Sequence, residues 1–149
     1  MFHRLVATSG GVSSLVLRLG LGIVMLPHGA QKVLGVWGGH GFSATLDHFT
    51  GGMGTPLPLA LLAIAAEFLG SLGLVVGFLG RVAALGIGVT MAVAAVMAHL
   101  GNGFFMNWAG QQKGEGFEYH ILAVAIALGL VLRGSGSLSI DRWLQAKRG

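Results

Sequence analysis

The chain has 149 residues, of which 54% are hydrophobic and only 9% are charged, and its mean hydropathy of +0.79 excludes an ordinary soluble domain. Its net charge of +4 does not indicate nucleic-acid binding, because the basic residues are dispersed and form no patch interleaved with aromatic residues. The absence of cysteine excludes disulfides, cysteine-bound metal or iron–sulfur sites, and thiol chemistry on this chain.

Four apolar segments are predicted to form membrane-spanning helices, at about 12–32, 57–78, 82–100 and 118–132. A spanning helix needs ~20 mostly apolar residues, so four spans with short loops use up the length and predict a single domain, 1–149. The predicted fold is therefore all-α, an integral membrane four-helix bundle.

The first span should bend or become thinner at Pro27, just before His28. The glycine-rich stretch 35–56 follows, with a short amphipathic helix predicted at 42–49 in the membrane interface. The second span holds Glu67 near its middle and the third ends at His99. The loop 101–117 carries aromatic residues suited to the headgroup level, and Trp143 is expected to anchor the tail there.

The basic residues predict the orientation of the bundle in a bacterial inner membrane. With four spans the termini share one side, and that side holds six basic residues: Arg4, Arg81, Arg133, Arg142, Lys147 and Arg148. The opposite loops hold only Lys32 and Lys113. The excess of positive charge predicts that both termini are cytoplasmic, which puts most of the histidines on the outer side.

Arg18 and Glu67 lie inside predicted spans, where a lone charge costs ~2.5–3.5 kcal/mol. Counting ~1.5 Å per residue from the outer ends of their helices, their depths differ by only ~6 Å, so we expect a buried ion pair. The pair could simply hold the two helices in register. Alternatively, Glu67 accepts a proton or holds the polar head of a ligand.

Further polar residues are expected to line an outward-facing cavity. His28 and Lys32, one helical turn apart, could bind an anion or a quinone carbonyl, or could form an interfacial rim. The predicted ligand-binding or proton-relay residues are His28, Lys32, Glu67, Glu118, His99, His120 and Trp108. Haem or metal binding is disfavoured, because no span carries a His-x-x-x-His pair and the chain has no cysteine.

Three stretches together resemble the DoxX family of small four-helix bacterial membrane proteins. They are LRLGLGIVMLPHGAQKVLG at 17–35, AEFLGSLGLVVGFLGRVAAL at 66–85, and FEYHILAVAIALGLVLRGSGSLSIDR at 117–142, which includes a GxGxxSxD motif. By this resemblance, Arg18, His28, Lys32, Glu67 and Glu118 fall on the family's recurring polar positions. The resemblance implies a role near respiratory or oxidative-stress redox chemistry, since relatives include a thiosulfate:quinone oxidoreductase subunit of the DoxD group.

The leading functional hypothesis is a redox-associated membrane subunit that binds a quinone-like or other small polar-headed ligand. Its partners would be membrane lipids and redox enzymes, and any enzymatic role would be that of an oxidoreductase subunit. Two alternatives remain open: a non-catalytic scaffold for partner enzymes, and a small-solute or proton-coupled transporter in which Glu67 is the coupling carboxylate.

Overall fold

The computed structural model describes residues 5–9 and 11–147, and this part of the chain is helical with no strand. Arg4 and Arg148, which enter the orientation argument, lie outside the described residues. From residue 11 to residue 147 the helices are, in chain order, α1 (Val12–Leu34), α2 (Gly41–Asp47), α3 (Leu57–Val76), α4 (Gly80–Asn102), α5 (Glu118–Arg133) and α6 (Ile140–Ala146).

Two of these helices, α3 and α4, contain turns that are wider or tighter than those of a regular α-helix, and a third, α2, is followed by one. α2 runs into a π-helical turn at His48–Gly52, and α3 contains one at Ala66–Gly70. α4 is regular over Gly80–Ala94, then π-helical at Ala95–His99, and ends in a 3₁₀ turn at Leu100–Asn102. Because π-helical turns are rare and frequently occur at functional sites, the one around Glu67 is of particular interest.

The helix ends follow from local sequence. α1 ends at Gly35, which adopts a left-handed conformation with φ of +70°, and α3 ends in the same way at Gly77 with φ of +71°. Pro58 lies in the first turn of α3, where its missing N–H costs no hydrogen bond. Pro27 lies inside α1, which continues as an α-helix to Leu34.

The four long helices close into a ring: α1 contacts α3 and α5, and α4 contacts the same two helices. Their shared core consists of Leu21, Met25, Leu74, Ala84, Ile87, Met91, Ala123, Ala127 and Leu130. We call the end where α1 begins and α5 finishes the terminal end. The opposite end, which carries the two long connections 35–56 and 103–117, is the loop end.

In the part of the chain that the structure describes, three helices are long and apolar enough to cross a membrane: α1, α3 and α4. α5 has 16 residues, which at ~1.5 Å per residue is shorter than the ~30 Å hydrocarbon core of a bilayer. Large apolar side chains cover the outside of the bundle, among them Leu62, Leu122 and Leu132 with 65%, 61% and 76% of their surface exposed. An apolar outer surface of this kind is suited to contact with lipid rather than with water.

The short helix expected at 42–49 is present as α2 with its π-helical turn. The tail forms α6, in which Trp143 is 55% exposed, as a membrane anchor would be. The same tail also carries a buried carboxylate, Asp141, whose role the sequence did not predict.

Candidate functional site

Arg18 is buried at the terminal end, with 1% of its surface exposed. Its guanidinium donates hydrogen bonds to five carbonyl oxygens, those of Leu74 and Val75 at the end of α3 and of Ser135, Ser137 and Leu138 before α6. The donor–acceptor distances run from 2.6 Å to Leu138 to 3.3 Å to Ser137. Because a guanidinium has five N–H groups, this set satisfies the side chain completely.

Asp141 completes the same cluster from α6. Its Oδ1 accepts from the backbone N–H of Leu79 at 2.8 Å, and its Oδ2 accepts from Gly80 N–H at 3.0 Å and from the Ser135 hydroxyl at 2.6 Å. A carboxylate on the first N–H groups of α4 is stabilised by the positive end of the helix dipole. Asp141 and Ser135 lie in the GxGxxSxD motif at 134–141, which was the signal available in the sequence.

The predicted Arg18–Glu67 ion pair does not form between these two described residues, because Glu67 pairs with Lys32 instead. Arg18 lies level with Leu74 and Val75, about two helical turns away from Glu67 along α3. Glu67 packs beside Gly29, where a Cβ atom would lie only 2.6 Å from the Glu67 carbonyl oxygen. Side chains on a helix tilt toward its N-terminus, so Lys32 reaches back to that level.

The Lys32–Glu67 ion pair is held between α1 and α3. The Glu67 side chain is 4% exposed and that of Lys32 is 28% exposed, so the pair is buried on one side only. Glu67 lies in the π-helical turn of α3, where the buried Ser71 hydroxyl donates to the carbonyl oxygens of Glu67 and Phe68. Within the described residues, Glu67 Oε1 accepts no hydrogen bond and two of the three Lys32 N–H groups have no acceptor. A ligand could therefore find both a donor and an acceptor here.

A cavity of about 290 Å³ opens beside Lys32, and we call it the loop-end cavity. Its walls are His28, Gln31, Lys32, Gly38, Gly39, His40 and Thr45. The turn that closes it is held by a hydrogen bond from Gln31 Nε2 to the carbonyl oxygen of Trp37 at 3.0 Å. Of the predicted site residues, His28 and Lys32 line this cavity, and Glu67 is joined to it through its ion pair with Lys32. Three wall residues were not predicted as site residues: Gln31, His40 and Thr45.

His99 and His120 form a separate pair between α4 and α5, with ring centroids 4.2 Å apart. His99 Nδ1 lies 2.9 Å from the carbonyl oxygen of Glu115, whereas His120 Nδ1 is buried and has no hydrogen-bond partner among the described residues. Tyr119 lies beside this pair, with its ring 5.7 Å from that of His120, and its hydroxyl donates a hydrogen bond to Met25 Sδ at 3.4 Å. The contacts of Tyr119 with His120 and Met25 were not predicted from the sequence.

The remaining two predicted residues are Glu118, the first residue of α5, and Trp108 in the loop 103–117. Glu118 Oε1 accepts the backbone N–H of Met106 at 2.9 Å, and Glu115 Oε2 accepts that of Asn107 at 2.6 Å, so these carboxylates order the loop. Trp108 is 88% exposed at the loop surface and lines neither the cavity nor the histidine pair. Within residues 5–9 and 11–147, no three histidine, aspartate or glutamate side chains cluster in a way that could hold a metal ion.

Comparison with known proteins agrees with this architecture. The DoxX family model matches residues 13–100, which is more than half of the chain and includes Arg18, Lys32 and Glu67. The chain belongs to the DoxX family. The match covers α1 to α4 of this DoxX chain, whereas the similarity at 117–142 lies beyond the matched residues. Neither a curated protein nor a solved structure matches the chain.

Membership of the DoxX family and three apolar helices of spanning length identify a membrane protein. In this DoxX chain two polar clusters, one at each end of the bundle, flank an apolar core. The terminal-end cluster around Arg18 and Asp141 is fully bonded and holds the chain together. The loop-end cluster retains unused donors and acceptors, so it is the better candidate for binding a ligand.

Proposed function

We propose that this protein is a redox-associated subunit of the bacterial inner membrane that binds a quinone-like or other small polar-headed ligand in the loop-end cavity. The observation that carries the proposal is the Lys32–Glu67 pair, which is buried on one side and borders the cavity on the other. The Lys32 side chain is 28% exposed, so its ammonium stays accessible from the cavity while it pairs with Glu67.

The proposal includes four membrane spans with both termini cytoplasmic, so that the cavity faces outward. Three helices meet the length for spanning, and α5 packs beside α1 and α4 with its buried face toward their common core. The shorter α5 would span with local thinning of the bilayer or with help from the aromatic residues of the preceding loop. The basic residues at the terminal end support this orientation.

The Lys32–Glu67 pair could bind a carbonyl group of the ligand and supply the protons that this group gains on reduction. The Lys32 ammonium would donate a hydrogen bond to the carbonyl oxygen, and the adjacent Glu67 would pass on protons. Reduction of a quinone to a quinol consumes two electrons and two protons. Since the chain has no cysteine to hold an iron–sulfur centre, the electrons would come from another bound cofactor or from a partner redox enzyme.

The test is binding of decylubiquinone to the purified protein in nanodiscs, comparing Lys32→Ala and Glu67→Gln with the wild-type chain. Loss of a hydrogen bond from a charged donor costs ~1.5–3 kcal/mol, so we expect Lys32→Ala to weaken binding about 10- to 100-fold. The matched control is Lys113→Ala, whose side chain is exposed in the loop 103–117 and should not change binding. Unaltered binding by Lys32→Ala, or no binding by the wild-type chain, would contradict the proposal.

A scaffold for partner enzymes is the second candidate, supported by the loop 103–117. The loop is ordered by Glu115 and Glu118, yet it exposes Phe104, Phe105 and Trp108 with 47%, 66% and 88% of their surface accessible. Under this alternative, Trp108→Ala would lower the membrane-bound amount of partner enzymes in cells, whereas Lys32→Ala would leave it unchanged. The reverse pattern would favour the ligand-binding function.

A further inference from the structure

The segment that follows α5 presents exposed apolar and basic side chains side by side, and we call this the tail surface. It consists of Leu138, Ile140, Arg142, Trp143 and Lys147, all of which are exposed. An Arg142 N–H group donates to the hydroxyl of Ser137, the residue before Leu138, at 3.3 Å. The Lys147 ammonium lies 3.8 Å from the centre of the Trp143 ring. The charged groups of the tail surface therefore lie directly beside its apolar groups.

Leu138 exposes its side chain from an unfavourable backbone conformation. Its φ of +49° lies in the left-handed region, which bulky residues rarely adopt, and 83% of its surface is exposed. The carbonyl oxygen of Leu138 accepts a hydrogen bond from Arg18 Nη2 at 2.6 Å, so the buried guanidinium helps to hold this conformation. Strained residues persist only where the surrounding structure holds them, and they cluster at functional positions. An exposed leucine held in this way is suited to insertion among lipid acyl chains.

The exposed charge at the terminal end is positive. Arg133, Arg142 and Lys147 are exposed there. Of the five acidic residues in the chain, only Asp141 lies at this end. It is 1% exposed, and both of its oxygens accept hydrogen bonds within the fold. The exposed basic groups are therefore complementary to an anionic partner.

We propose that the tail surface binds an anionic phospholipid, with Leu138 and Trp143 among the acyl chains and Arg142 and Lys147 at the phosphate group. Long basic side chains can reach a headgroup while their aliphatic stems cover apolar surface, and tryptophan is enriched at this depth of a membrane. A free phosphate ion would meet only the charges and would leave the apolar side chains in water. The phospholipid is the occupant that matches both parts of the surface. This site lies at the end of the bundle opposite the loop-end cavity.

The test compares how strongly brominated phosphatidylglycerol and brominated phosphatidylcholine quench the fluorescence of Trp143, in nanodiscs of otherwise equal composition. Trp37→Phe and Trp108→Phe, both at the loop end, leave Trp143 as the one tryptophan. A basic residue near an anionic membrane surface strengthens binding about fivefold, so we expect a preference of about 5- to 25-fold for the anionic lipid.

Arg142→Gln and Lys147→Gln should each reduce this preference about fivefold, and together they should abolish it. The matched control is Lys113→Gln, an exposed lysine at the loop end, which should leave the preference unchanged. Equal quenching by the two lipids, a preference that survives the double substitution, or no quenching of Trp143 by either lipid would overturn the proposal.

Leu138→Asn tests the apolar part of the tail surface. Asparagine adopts a positive φ more readily than leucine, so stability should be unchanged or higher. Quenching of Trp143 by both brominated lipids should nevertheless fall, because the segment would lose its inserted side chain. A loss of stability with unchanged quenching would overturn the proposed insertion of Leu138.

Discussion

Arg18 and Lys32, both on α1, are stabilised in different ways. Arg18 donates all five of its N–H groups to carbonyl oxygens, which carry partial rather than full negative charges. Lys32 instead meets the full charge of Glu67 and keeps unused N–H groups. Arginine is suited to binding several carbonyl oxygens because the N–H groups of its planar guanidinium have a fixed geometry. Lysine is suited to pairing with a carboxylate while it binds a further group, because its ammonium rotates freely. Arg18 is therefore expected to matter for stability, and Lys32 for binding.

Arg18→Lys tests this distinction at the level of one side chain. Lysine has three N–H groups, so at least two of the five carbonyl oxygens lose their donor. At ~1–3 kcal/mol for each unsatisfied buried group, we expect the free energy of unfolding to fall by ~2–5 kcal/mol. The measurement is reversible unfolding in mixed detergent micelles.

The matched control for Arg18→Lys is Arg133→Lys, because the Arg133 side chain is exposed at the end of α5. Its effect should stay within ~0.5 kcal/mol. Equal effects of the two substitutions would show that the guanidinium geometry of Arg18 is unimportant.

At the scale of the helices, the close approach of α1 to α3 positions the ion pair. Gly29 lies directly against the backbone of Glu67 and Phe68, and the π-helical turn Ala66–Gly70 begins one residue before Glu67. The extra residue in a π-helical turn rotates the side chains that follow relative to a regular helix. Gly29 and this turn together determine which residue of α1 Glu67 meets.

Gly29→Ala should push the two helices apart. A Cβ atom at Gly29 would lie 2.6 Å from both the carbonyl oxygen of Glu67 and the Cα atom of Phe68, which are backbone atoms and cannot rotate away. We expect a loss of ~1–3 kcal/mol in the free energy of unfolding, together with weaker decylubiquinone binding.

Gly20→Ala makes the same chemical change on the same helix at a position where nothing lies within 4 Å of the added Cβ atom. Alanine is the better helix former, so stability should be unchanged or rise by up to ~1 kcal/mol. If Gly20→Ala destabilised the protein as much as Gly29→Ala, the effect at Gly29 could not be attributed to its close contact with α3.

For the whole molecule, the terminal segment closes the bundle. Asp141 joins α6 to the start of α4, and the carbonyl oxygens before α6 join it to Arg18 on α1. At the loop end, hydrogen bonds from the backbone N–H groups of Phe117 and Glu118 to the carbonyl oxygens of Gly103 and Phe104 close the long loop. The two ends of the molecule therefore differ. The terminal end is held together by polar groups whose hydrogen bonds are satisfied, whereas the loop end contains a cavity.

The proposed orientation predicts the location of both ends in the membrane. A reporter fused after residue 149 should be active on the cytoplasmic side, and one inserted at Gly110 in the loop 103–117 should be active on the outer side. Reporters that read the same side would contradict the four-span arrangement and would indicate that α5 does not cross the bilayer.

The sequence alone determined the helices and the positions that had to be polar. Apolar runs of spanning length predict α1, α3 and α4 directly, since hydropathy and length are local properties. The same patterning predicted the position of α5, whose bounds differ from the expectation by a single residue, at Arg133. It also singled out Arg18 and Glu67 as costly charges inside the predicted spans.

Only the tertiary structure decided which of these residues meet. Counting residues along two helices estimates how deep each side chain lies in the membrane. It does not show how each helix is rotated about its axis or where the two helices approach closely. For this reason the sequence argument paired Glu67 with Arg18, whereas in the structure Glu67 pairs with Lys32. The carbonyl acceptors of Arg18 and the role of Asp141 depend on the return of the chain after α5. The 4.2 Å contact of His99 with His120 likewise joins two helices that are separated by a loop. Such pairings are set by helix packing, which brings together side chains that are far apart in the chain.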